Sequence, residues 1–116
     1  MSRENSFKVD ERLVNAWQRT LPTTLGEGDR ASVRSDESDA SAVRISISSA
    51  GRTGYTFDFK CSYKDEREVH VELIDVEKDN QHVDERTDII QNLTEDYIRH
   101  IHECTQILHE VTNTKG

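Results

Sequence analysis

Val43-Arg44-Ile45-Ser46-Ile47-Ser48 and Tyr55-Thr56-Phe57-Asp58-Phe59-Lys60-Cys61-Ser62-Tyr63 decide the fold. In both runs every second residue is apolar and those between are polar or charged. A side-chain period of two belongs to a strand with one buried and one wetted face. The intervening Ala50-Gly51-Arg52-Thr53-Gly54 has turn chemistry, so the two runs predict an antiparallel hairpin. Beyond the polar turn from Lys64 to Arg67, Val69, Val71 and Leu73 alternate with Glu68, His70 and Glu72, adding a third strand to a meander. After Leu73 the parity slips, with Ile74 and Val76 on the other phase, which predicts a bulge or the end of pairing there.

Outward from the strands, Tyr97, Ile101, Cys104, Leu108 and Val111 share one helical face and predict a long C-terminal helix. Thr94-Glu95-Asp96 supplies a cap followed by acids, so the helix is expected to begin there. Residues 78–93 are ambiguous. Lys78 to Gln81 suits a turn and Val83 to Ile90 a fourth strand, although Asp84-Glu85-Arg86 also fits a helix start; the strand is preferred because a helix from 84 would waste the Thr94 cap. On the N-terminal side, Leu13, Val14, Trp17 and Leu21 recur at helical spacing after the capping Asp10, predicting a helix over about 10–20 that Pro22 ends. Residues 22–41 are rich in Gly, Ser and acids and are expected to form a mobile loop, with at most a brief edge strand near Val33. The expected class is α+β: a short N-terminal helix, an antiparallel meander of three or four strands, and a long C-terminal helix packed on the apolar sheet face.

The chain has 116 residues, 33% of them apolar and 33% charged, which limits it to one domain, 1–116, with 1–9 and 112–116 as frayed termini. No apolar run exceeds two residues, far below the roughly 18 of a membrane-crossing helix. The N-terminus lacks the apolar stretch of an export signal, so a cytoplasmic location is expected. Cys61 and Cys104 have no metal-type spacing and fall on apolar faces; they read as reduced core residues, a single bridge being the alternative.

The formal charge of -8 is uneven. Residues 1–64 carry 10 bases and 9 acids, 65–96 carry 3 and 12, and 97–116 carry 2 and 2. The acidic stretch should attract a basic protein surface or cations and oppose nucleic acid, unless it serves only to keep the surface solvated. The order helix, three strands, helix is similar to that of double-stranded RNA-binding domains. Those need a basic helix N-terminus, whereas Thr94-Glu95-Asp96 is acidic, so nucleic acid is not an expected partner.

Chemistry-bearing motifs are weak. Asp75-x-Glu77-x-Asp79 begins like a calcium loop, but Asn80 stands where Gly is needed and Arg86 where a bidentate Glu is needed. His100, His102 and Cys104 would converge on a strand but diverge on a helix. His102 and His109 share a flank near Ile98 and Thr105 and read as solvated. Gly26-x-Gly28 has no preceding strand, Asn92-Leu93-Thr94 is a glycosylation pattern without an export signal, and the acid-flanked serines of 35–39 are ordinary for such a loop. Asp58, Lys60, His70 and Glu72 are expected to form cross-strand ion pairs on the open face. No metal, cofactor or catalytic set is expected.

The leading reading is a non-enzymatic interaction module of inhibitor, immunity or adaptor type. It would dock a basic protein through Glu66, Glu68, His70, Glu72, Asp75, Glu77, Asp79, Asp84 and Glu85, with Tyr63 as a further anchor. The alternatives are a small-ligand binder or minor enzyme with a pocket between sheet and last helix, and a structural homodimer through that helix. Tyr97, Ile98, Ile101, Cys104, Ile107, Leu108 and Val111 would serve as core or dimer surface. Ile98 and Ile107 flank the main stripe and call for a second contact, from either the first helix through Leu13 and Trp17 or a second copy.

Overall fold

A computed structural model describes residues 8–26, 28–49, 54–65, 68–78, 81–83 and 87–113, the side chains of 81, 82 and 110–113 excepted. The elements are α1 (Glu11–Thr24), β1 (Arg30–Ser35), β2 (Ala42–Ser48), β3 (Tyr55–Tyr63), β4 (Val69–Lys78), β5 (Gln81–His82) and α2 (Asp88–Asn113). The strands form one antiparallel sheet in the order β1-β2-β3-β4-β5. The α+β class and the meander are as expected.

Alternation carries through to packing. The register sets Val33 beside Ile45, Ile45 beside Phe59, and Cys61 beside Val71, so the apolar phases of all four long strands share one face. Both helices lie on that face, packed against each other, with α1 toward β1 and α2 toward β4. Leu13, Trp17 and Leu21 from α1 and Ile90, Tyr97, Ile101, Cys104 and Leu108 from α2 close a single hydrophobic cluster with the sheet. Burying one such large apolar side chain contributes roughly 1.5–3 kcal/mol. The Phe57 ring stacks with Phe59 at 6.4 Å and meets Tyr97 edge-on at 5.1 Å, tying β3 to α2.

The parity slip is a bulge. Asp58 pairs with Asp75 and Phe59 with Leu73, leaving Ile74 unpaired and 39% exposed, and Val76 returns to the buried face opposite Phe57. The hairpin between β2 and β3 returns through Gly54, whose φ of 66° suits a residue without Cβ.

Two expectations need correction. Pro22 does not end α1, which runs to Thr24. Leu21 is fully buried, and that anchorage outweighs the preference of a pre-proline residue for extended backbone. The Thr23 and Thr24 hydroxyls donate to the carbonyls of Thr20 and Leu21 at 2.6 and 2.9 Å, serving groups that the helix end leaves free. The edge strand allowed near Val33 forms as β1, six residues long at the sheet margin. Val9, placed among the frayed residues 1–9, donates its N–H to Ala40 at 2.8 Å.

The second correction concerns 82–91. Of the strand expected from Val83 to Ile90, residues 88–90 are helical instead, 84–86 lie outside the described residues, and the short strand β5 comes just before it at Gln81–His82. Thr87 is the cap in place of Thr94: its hydroxyl accepts from the Ile90 N–H at 3.4 Å, and its carbonyl accepts from Gln91 at 2.9 Å, with Asp88 in the first turn. Thr94 lies inside the helix, and its buried hydroxyl has no partner among the described residues. The earlier start brings Ile90 under the sheet, which repays skipping the later cap.

Candidate functional site: the polar face of the sheet

With the helices on one face, the other carries the polar phase of every strand. Register orders these side chains into rows. Arg34 on β1 lies opposite Arg44 on β2, Arg44 opposite Lys60 on β3, and Lys60 opposite Glu72 on β4. A second row is Ser32, Ser46, Asp58 and Asp75, and a third is Arg30, Ser48, Thr56 and Glu77. The face is therefore electrically graded, cationic toward β1 and acidic along β4.

Like charges facing one another across strands repel, and two carboxylates from the 36–41 connection relieve the cationic row. Asp36, buried, lies 3.7 Å from the Arg44 guanidinium, and Asp39 lies 3.3 Å from the Lys60 ammonium. Each is held by the serine two residues on. Asp36 Oδ1 accepts from the Ser38 N–H and hydroxyl at 2.8 and 2.9 Å, and Asp39 Oδ1 from those of Ser41 at 3.0 and 2.7 Å. Burial pushes the Asp36 pKa up, but the Ser38 bonds with Lys60 and Arg44 outweigh it and hold the carboxyl below its ordinary value. Asp39 is lowered chiefly by the Ser41 hydroxyl and N–H, with Lys60 adding to them.

Among the residues expected to bind a partner, His70, Glu72, Asp75 and Glu77 share the polar face of β4 and Glu68 immediately precedes the strand in the same phase; Glu68, His70 and Glu72 are exposed, Asp75 and Glu77 half-buried. Glu66, Asp79, Asp84 and Glu85 lie outside the described residues. The ion pairs differ from expectation. Lys60 pairs with Asp39, Asp58 accepts from the Ser46 hydroxyl, and His70 Nε2 stands 3.4 Å from Glu72 on its own strand. Connection residues compete for the sheet's cations because the 36–41 segment folds back over that end of β2. The cationic half was missed because its members are scattered over 30–60 and only register gathers them. The repeated Asp-x-Ser at 36–38 and 39–41 was the available signal, since such triplets form side-chain turns.

On α2, Tyr97, Ile101, Cys104 and Leu108 are buried and Ile98 is half-buried against the core, while Ile107 is 45% exposed. The side chain of Val111 is outside the described set. The second contact expected for this helix is supplied in part by α1, through Leu13 and Trp17. Tyr63, considered as an anchor, instead faces the core, where its hydroxyl accepts from Trp17 Nε1 at 3.0 Å.

Cys61 and Cys104 are free and buried, as expected. Burial pushes the Cys104 thiol up to about 12 and raises Cys61 as well, so neither offers a thiolate near neutral pH. Tyr97 is likewise pushed up to about 12 by burial and then by the charge of Asp29. His100 sits 3.2 Å from Glu103 and His102 is exposed, so the helix disperses them from Cys104. No metal-holding group occurs among the described residues, and no helix is long and apolar enough to cross a membrane.

No protein family, curated protein or solved structure matches the chain.

Proposed function

We propose that this chain is a non-enzymatic interaction module of inhibitor, immunity or adaptor type, acting in the cytoplasm by docking a basic protein surface on β4 and the acidic stretch around it. The observation that supports this reading is the projection of His70, Glu72, Asp75 and Glu77 from one face of β4, with Glu68 just before it in the same phase. Aligned acids at a sheet margin add their fields, which steers a cationic partner and sets its orientation. The two buried free thiols accord with a reducing compartment.

Retention of a partner from native lysate should be strong at low salt and largely lost by about 0.5 M, where the Debye length falls to a few ångströms. The triple variant Glu68→Gln, Glu72→Gln, Glu77→Gln should fail to retain it even at low salt. Retention indifferent to both salt and the triple variant would reject the electrostatic mechanism.

A second reading, a homodimer through α2, is favoured by the exposure of Ile89 (62%) and Ile107 (45%) on that helix. It predicts a doubled mass in light scattering that falls to the monomer value in Ile89→Glu, Ile107→Glu. A monomer at high concentration in the unaltered chain removes it.

A further inference from the structure

The two margins of the sheet are finished differently. On β1, the Asp36 N–H to Ala42 carbonyl bond (3.1 Å) sets the parity of the β1–β2 ladder and turns the backbone groups of Ala31 and Val33 outward. The Gln18 carboxamide of α1 meets them, donating to the Ala31 carbonyl at 2.9 Å and accepting from the Val33 N–H at 2.8 Å, as a neighbouring strand would.

On β4, the Lys64 N–H to Glu68 carbonyl bond (2.7 Å) sets the phase in the same way. Residues 70 and 72 direct their backbone groups to β3, and Val69, Val71 and Leu73 direct theirs outward. β5 covers only the far end, pairing with Glu77 and Lys78, with Val83 donating to Val76 at 3.2 Å. Among the described residues, nothing takes the outward N–H and C=O groups of Val69, Val71 and Leu73. The side chains of these three are half-buried on the helix face, while Glu68, His70 and Glu72 are exposed on the other.

We infer that the β4 margin from Val69 to Leu73 is a strand-addition site for an extended segment of a partner protein in which cationic residues alternate with apolar ones. This rests on the proposed docking of a basic partner and specifies its form. An antiparallel segment forms its hydrogen-bonded pairs opposite Val69, Val71 and Leu73, and its side chains at those positions extend the apolar row beside α2. The residues between fall opposite His70 and Glu72 in non-hydrogen-bonded pairs, where side chains approach most closely, at roughly 4.5 Å between Cα atoms. Lysine or arginine there meets Glu72 and Glu68. Charged side chains along an open margin repel strands that lack matching cations, so the acids select the occupant. A second copy of this chain is a poor occupant, because it would bring its own acidic stretch of 3 bases and 12 acids against this one.

The test is amide hydrogen exchange by NMR during titration with the synthetic peptide Lys-Val-Lys-Val-Lys-Val-Lys and with the same peptide N-methylated at its valines, which keeps the charge but cannot pair. The unmodified peptide should slow exchange at Val69, Val71 and Leu73 by about tenfold or more, and the methylated one should not. If both peptides shift Glu68 and Glu72 resonances equally and neither slows those amides, strand addition is overturned while acidic docking stands. If neither peptide binds at low salt, both fail. Protection of the same amides in the free chain that grows with its own concentration would make a second copy the occupant and overturn the proposal.

Discussion

Trp17→Ala is expected to cost about 3–5 kcal/mol, the range for emptying a buried aromatic site. Trp17 is fully buried in α1 at the meeting of both helices and the sheet, and its Nε1–H is committed to the Tyr63 hydroxyl. Removing the indole opens a void and also takes away the Trp17 N–H donated to the hydroxyl of Tyr63, a residue only 5% exposed. A domain of this size is stabilised by only about 5–15 kcal/mol in total, so the variant should be near its unfolding midpoint without denaturant. Urea denaturation followed by far-UV circular dichroism checks this, because the only tryptophan is then absent. Tyr63→Phe separates the two contributions. It keeps the ring volume but orphans the indole N–H, and should cost about 1–3 kcal/mol. A Trp17→Ala loss below that of Tyr63→Phe would show that the packing around Trp17 had been misjudged.

The second large effect comes from Asp36. Asp36→Ala removes the acceptor of the Ser38 N–H and hydroxyl and the counter-charge of Arg44, whose buried Nε has no hydrogen-bond partner among the described residues. A loss of about 1–3 kcal/mol is expected from leaving such groups unsatisfied. The same carboxylate shapes the acid limb of stability. Its pKa, like that of Asp39, lies below the ordinary 3.8 in the folded chain, so the unfolded chain binds protons first as pH falls. The stabilisation is therefore complete above the unfolded value and is lost as pH drops from about 4 through the lowered folded values. Asp36→Asn, Asp39→Asn should start from lower stability at pH 7 and show a shallower decline below pH 4. An unchanged acid limb would mean that other carboxylates govern it.

What could be read in advance depended on whether the signal was periodic. Val43 to Leu73 alternate, so strand identity, the buried phase and the slip at Ile74 were legible. Leu21-Pro22 and the segment 82–91 misled because tertiary burial of Leu21 and Ile90 decided them, against local preference. On the candidate face, the acids of β4 were legible because they are consecutive in phase on one strand. The row Arg34, Arg44 and Lys60 was not, since it exists only once three strands are aligned. The Gln18 contact with Ala31 and Val33 links α1 to an isolated strand and leaves no trace in periodicity at all.

That glutamine sets a limit on assembly. Backbone pairing propagates only through units that offer two vacant margins, since each joined unit must present a fresh one. Here α1 occupies one of them with its own carboxamide. With Gln18 engaged at Ala31 and Val33, the β4 margin is the one left for an added strand, so strand addition as proposed would lengthen the sheet by a single segment.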